Sequence, residues 1–388
     1  MIHLDSDELL IAKNILDLKN ASGSHSPSMF TLLENLPQIN LKIDACFLSN
    51  PYATDLFIRY FEKELVKTNK LRDVLEFYPS QNQAIAQTIS QVINMNNENI
   101  FVGNGAIEVI QAVMHNFISG NVIVNIPTFS SYYEFVKPGV EVIYNQLDKN
   151  NEYEINANQL IEFVNKNNGK NLIIINPNNP NGGYIKSNDL QFIISELSHL
   201  DNIILDESFI HFAYEDEHLN MVSFSEYFHL YSNLIIIKSM SKDFGIAGIR
   251  AGYGIMSKEK VEKLLQNGYL WNLNGLSEYF FKLYARPDFL KDYEQVRKKY
   301  IIDAQDFFKK LNEIPQIKIY SSFANFALIE LIDGSSSSDF VSKMLIKYGI
   351  YSRTGNDKIG LEGQFVRISA RSKTENETII SAIKNVFN

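Results

Sequence analysis

The chain has 388 residues, with 36 Lys and Arg against 45 Asp and Glu for a formal net charge of −9, and 45% hydrophobic and 12% aromatic residues. That much apolar material excludes a disordered chain, and the length exceeds what one small core holds, so two lobes are expected. The acidic balance, with no basic block, argues against a nucleic-acid binder, and no run of 18 apolar residues offers a membrane span.

The single cysteine, Cys46, cannot close an intramolecular disulfide. Residues 1–7 lack the basic start and apolar run of a signal peptide, so a reducing cytoplasm is the expected location. About one residue in ten is asparagine, with runs at 94–99 and 165–171 that read as polar loops. Most asparagines are therefore expected to be surface filler.

Residues 1–40 carry two weak helical stretches separated by the Ser/Gly/Pro patch 22–28, which reads as an arm or lid. A strand is expected over 41–48. A helix follows over 55–67, with Leu56, Tyr60, Phe61 and Leu65 on one face, and another over 80–93. From about residue 100 strands and helices alternate. Strands are expected at 99–102, 121–126, 140–144, 172–175, 203–205 and 234–238, with helices at 106–117, 156–165 and 188–200 among them. This rhythm predicts an α/β fold with a mostly parallel sheet. A long helical section over 258–311 bridges to strands at 317–320, 324–331 and 365–369 and helices at 340–347 and 375–387. The expected division is an arm (1–40), a large domain (41–280) and a small C-terminal α/β domain (281–388).

Chemistry in open parallel sheets gathers beyond the carboxyl ends of the strands. Four segments there carry unusual polar residues. Gly103-Asn104-Gly105-Ala106-Ile107 leads into a helix start, whose free N–H groups can hold a phosphate; alone it reads equally as a tight turn. Asn176-Pro177-Asn178-Asn179-Pro180-Asn181-Gly182-Gly183 can fix an asparagine amide at a defined point, or be a turn and nothing more. Asp206-Glu207 ends a strand, where a carboxylate serves as cap or as partner to a cation. In Ser239-Met240-Ser241-Lys242, the lysine sits among small residues, where desolvation can make it an amine nucleophile. Arg250 follows eight residues later and can offer a planar fork to an anion.

The joint order of these segments resembles the fold type I pyridoxal-phosphate enzymes of the aminotransferase superfamily, over about residues 42–388. The resemblance implies pyridoxal 5'-phosphate as cofactor, with Lys242 bonded to its aldehyde and moving the proton at the substrate Cα. It implies Asp206 beside the ring nitrogen, Asn179 on the ring oxygen and Phe129 stacked on the ring face. The cofactor phosphate is then expected on the Gly105, Ala106 and Ile107 amides with Ser239, Ser241 and Arg250. Tyr78 matches a tyrosine that reaches the neighbouring subunit's cofactor, which implies a homodimer. Arg367 matches the arginine that holds the substrate carboxylate.

Within the superfamily the chain is similar to threonine-phosphate decarboxylase and histidinol-phosphate aminotransferase. Phe209 stands where aminotransferases have a tyrosine, and Arg353 with the Gly360-Leu361 pair precedes Arg367 at the decarboxylase spacing. Trp271 and Asn274 fall in a similar stretch. Asn50, in Ser49-Asn50-Pro51-Tyr52, is a further candidate near the substrate. This implies decarboxylation of a small phosphorylated amino acid, L-serine phosphate ahead of L-threonine phosphate, with Arg353 and Arg367 taking its two anionic ends. The alternative is an aminotransferase for a small phosphorylated substrate with glutamate as donor. The decarboxylase's His-Gly-Gly segment has no match at His3, and the roles of His3 and His211 are left open. No metal site is expected.

Overall fold

The computed structural model describes residues 3–388. A seven-stranded sheet forms the frame of the large lobe. Its order is Ile100–Asn104, Ala251–Ile255, Leu234–Ser239, Asn202–Asp206, Asn171–Ile175, Asn121–Ile126, Glu141–Gln146. The last five of these run parallel, while Ala251–Ile255 runs antiparallel to both its neighbours. The central strands Asn171–Ile175, Asn202–Asp206 and Leu234–Ser239 are buried at every position, because the sheet is covered on both faces. One face packs against Ile85, Ile89, Leu190 and Phe280, the other against Val109, Val113 and Leu264.

The small lobe is a four-stranded antiparallel sheet in the order Arg353–Thr354, Phe365–Ser369, Phe326–Leu331, Ile317–Ile319. Helices Pro287–Leu311, Ser337–Tyr348 and Lys373–Phe387 supply its core residues Phe307, Met344 and Ile383. A parallel pair, Ile43–Asp44 with Ile350–Tyr351, stitches the early chain to this lobe. Ile43, Ala45 and Leu48 join the small-lobe core, so residues 43–48 pack apart from the large sheet.

The expected strand over 41–48 thus shortens to two residues. The helix expected from 55 begins at Pro51, because Asn50 caps it, and it loosens into a π-helical turn over Glu62–Val66. The section 258–311 divides into Lys258–Gln266, Gly275–Tyr284 and Pro287–Leu311. Pro287 lacks an N–H and so begins the third helix rather than continuing the second. The arm holds two helices, Ser6–Ala21 and Met29–Asn35, on either side of the patch 22–28. Asp5 and Glu8 form a capping box on the first, and Ile15, Leu32 and Leu36 pack with Leu345 and Tyr351 of the small lobe.

Candidate active site

A cavity of about 410 Å³ lies beyond the carboxyl ends of the parallel strands, between large sheet, small lobe and arm. It is lined by Ala106, Ile107, Phe129, Asn179, Asp206, Ser239, Ser241, Lys242, Arg250, Arg353 and Arg367, all from the sequence-expected set. Sheet register explains the convergence. Asp206 is paired with Ile175 on one side and Ile237 on the other, so the strand ends open onto one place.

At one end, helix Ala106–Asn116 presents its N-terminus with no side-chain cap. Its free N–H groups and dipole favour an anion. Gly105 there has φ +75°, and a Cβ on it would sit 2.5 Å from Arg250 Nη2, so only glycine admits the guanidinium. Arg250 Nη1 donates to Ala247 O at 3.1 Å, and Arg250 lines the cavity together with Ser239 and Ser241.

Asp206 forms part of the floor. Its Oδ2 accepts from the Tyr132 hydroxyl at 2.7 Å and its Oδ1 from the Ser208 N–H at 2.8 Å. Burial pushes its carboxyl pKa up, while Ser208, Tyr132 and Lys238 pull it back. Asn179 Oδ1 accepts from Arg367 Nη1 at 2.8 Å, which leaves the amide donors for another partner. Arg367 Nη2 donates to Cys46 O at 2.9 Å.

The Lys242 amine has no hydrogen-bond partner among the described residues. Burial first, then Arg367 and Arg250, lower its pKa to about 8. Behind it lies a buried charged cluster. Asp243 pairs with Lys238, and His211 Nδ1 lies 3.4 Å from Asp243 and 2.9 Å from the Tyr293 hydroxyl. Burial drives the His211 pKa well down, so it is a neutral hydrogen-bonding group there. Phe209 is buried against Phe326 and lines the cavity with no hydroxyl to offer.

The arm closes the mouth. Arg353 Nη2 donates to Ser24 O at 2.5 Å and to Asp357 Oδ2 at 2.8 Å, and Lys19 holds the same Asp357 oxygen at 3.2 Å. His25 stands at the rim, its ring 6.1 Å from that of Phe129 and its Nε2 4.0 Å from Glu134.

Two expected residues, Asn50 and Trp271, lie outside the cavity lining. Asn50 is fully buried, but its Oδ1 caps helix Pro51–Phe61 through the Tyr52 and Ala53 N–H groups and its Nδ2 donates to Asp243 O. Trp271 is 59% exposed and faces the Tyr78 ring at 6.4 Å; Tyr78 is 92% exposed, outside its own chain's cavity. His3 is exposed, and the arm histidine at the cavity is His25. Sequence reasoning also missed Tyr132, whose only signal was its place three residues after Phe129, and Lys358, which had none.

The residues fit pyridoxal phosphate on their donor chemistry. An uncapped helix N-terminus, two serines and Arg250 suit its phosphate. A buried carboxylate suits a protonated ring nitrogen, the free Asn179 donors suit the ring oxygen, and an amine of lowered pKa suits the aldehyde. No cluster of metal-ligating residues occurs among the described residues.

The family model for aminotransferase class I and II matches residues 47–383. An L-serine phosphate decarboxylase of Campylobacter jejuni is 58% identical over 387 residues, covering 100% of this chain and 99% of the relative. The solved structure of a decarboxylase from Sulfurospirillum multivorans superposes with a TM-score of 0.94 at 44% identity, covering 98% of this chain and 97% of that one. The histidinol-phosphate aminotransferase of Clostridium acetobutylicum gives a TM-score of 0.77 at 28% identity, over 89% of this chain and 99% of that one.

Proposed function

The chain belongs to the aminotransferase class I and II family, and within it we propose that the protein is a pyridoxal-phosphate-dependent decarboxylase converting L-serine phosphate to ethanolamine phosphate. The 58% identity to an L-serine phosphate decarboxylase along the whole of both chains carries this reading. Phe209 and the arginine pair Arg353 and Arg367 agree with it.

The bound cofactor supplies a protonated ring that accepts the electron pair left when a bond at the substrate Cα breaks. Asp206 would hold the proton at the ring nitrogen, with its carboxylate oriented by the Tyr132 hydroxyl and the Ser208 N–H. Asn179, its oxygen tied to Arg367, would donate from its amide to the ring oxygen. Arg353 and Arg367 line the cavity and would bind the phosphate and carboxylate ends of the substrate, fixing its orientation at Cα. Lys242, with a pKa near 8, holds a proton close to neutral pH and delivers it to Cα in place of the departed carboxylate. The arm meets Arg353 through Ser24 O, and its Lys19 holds Asp357 beside that arginine.

Exposed Tyr78, placed away from its own cavity, supports a homodimer in which it reaches the partner's cofactor phosphate. A free buried Cys46 supports a cytoplasmic location, and no helix among the described residues is long and apolar enough to cross a membrane.

The test is incubation of the cofactor-loaded protein with L-serine phosphate and no keto acid. The expected result is carbon dioxide and ethanolamine phosphate in equal amounts, with L-threonine phosphate turned over more slowly. Amino transfer that needs a keto acid, without carbon dioxide, would replace this reading with the aminotransferase.

A further inference from the structure

Arg353 and Arg367 are register partners on adjacent antiparallel strands, and both are more than nine-tenths buried. Like charges placed directly opposite repel. Arg353 Nε and Arg367 Nε are also buried with no hydrogen-bond partner among the described residues. A third cation lies in the turn after strand Arg353–Thr354, and that turn packs against the strand end before Phe129: a Cβ on Gly360 would sit 3.0 Å from Pro127 N. Lys358 is 6% exposed and its Nζ is likewise buried and unpartnered. The turn after strand Arg353–Thr354 holds it in place: the Lys358 N–H donates to Gly355 O at 2.9 Å and the Leu361 N–H to Lys358 O at 3.2 Å.

The charged groups facing Lys358 are Arg353, Asp357, Arg367 and Glu134. Asp357 is already engaged by Arg353 and Lys19, and Glu134 faces His25. Three cations therefore share one carboxylate that is already paired, Asp357, and Glu134, which lies 4.0 Å from a histidine whose pKa burial lowers; Arg353 and Arg367 line the cavity, and Lys358 is buried without lining it. Burying an ammonium without a partner is costly, and a ligand's charge offsets that cost.

We propose that Lys358 completes the phosphate subsite beside Arg353 and makes it select a phosphate dianion over a carboxylate. The inference rests on the decarboxylase reading and names the residue that recognises the phosphate. Arg367 suffices for a carboxylate. A phosphate adds a second negative charge and a third oxygen, which an ammonium with three rotatable donors can meet. Burial and then Arg353 push the Lys358 pKa down to about 7 in the ligand-free chain. A bound dianion raises it again, so a proton is taken up with the ligand.

The experiment compares the cofactor-loaded parent with K358M and K358R. K358M is expected to raise KM for L-serine phosphate about 10- to 100-fold, with kcat within about threefold. It weakens calorimetric binding of O-phosphoethanolamine by a similar factor and leaves binding of L-serine unchanged; K358R recovers most of both losses. Because K358M removes an unpaired buried charge, the ligand-free melting temperature holds or rises, where a structural lysine would lower it. Unchanged KM and O-phosphoethanolamine affinity, or an equal loss for L-serine, would overturn the proposal. If K358M folds poorly, K358Q is put through the same comparison. If the parent does not decarboxylate L-serine phosphate, the functional reading falls, and the O-phosphoethanolamine titration still decides Lys358.

Discussion

The Tyr132 hydroxyl donates to Asp206 Oδ2 over 2.7 Å, with both side chains buried at the cavity floor. Tyr132 and Ser208 oppose the effect of burial, which pushes the Asp206 carboxyl pKa up. Removing one donor therefore raises that pKa further. Y132F is expected to lower kcat about tenfold with KM little changed. The acid limb of its kcat profile moves to higher pH, because Asp206 then loses its charge sooner as pH falls. A profile that keeps the parent's acid limb would remove Tyr132 from this role.

Lys242 must be neutral to attack an aldehyde. With its pKa lowered from 10.5 to about 8, most of the amine is neutral above that pH and protonated below it. Cofactor attachment to the cofactor-free chain should accelerate as pH rises through about 8 and level off beyond. Stopped-flow absorption measures the rate; one still climbing at about pH 10 would mean an unperturbed lysine. K242A should show no covalent cofactor attachment by absorption, and lose activity by at least about 1,000-fold.

Arg367 reaches two acceptors at once, Asn179 Oδ1 at 2.8 Å and Cys46 O at 2.9 Å. An ammonium is a point charge and cannot reproduce that fork. R367K should cost about 100-fold in kcat/KM for L-serine phosphate. Steady-state kinetics check this, and a loss under about threefold would mean that the geometry of the fork does not matter.

If Tyr78 serves the partner's site, inactive Y78A and K242A chains should complement each other. A mixed dimer carries one site with both Lys242 and an intact Tyr78 from the other chain. Refolding the two variants together should restore activity that neither has alone, and gel filtration should give twice 44.5 kDa. Additive residual activities in the mixture would place Tyr78 outside the shared site.

Much of the site was legible because it follows from chain order. Segments 103–107, 176–183, 206 and 239–250 each leave a strand at the same edge of the sheet, so their residue types declare their chemistry before any contact is known. Asn50 and Trp271 do not line the cavity of their own chain, for local reasons. An asparagine before proline serves equally as a helix cap, and Asn50 spends its oxygen on Tyr52 and Ala53. Trp271 lies on an exposed stretch facing the Tyr78 ring at 6.4 Å.

The sequence alone determined the α/β alternation, the two lobes and the residue types at the strand ends, since hydrophobic periodicity and turn chemistry are local properties. Tertiary structure decided the rest. Asn179 meets Arg367 across 188 residues of chain and Tyr132 meets Asp206 across 74. His25 rather than His3 stands at the cavity because the arm folds back onto Arg353 through Ser24. Whether Lys358 is solvated or buried beside two arginines depends on the packing around it. A lysine in a polar turn looks the same in sequence either way, because desolvation is a property of the neighbours and not of the residue.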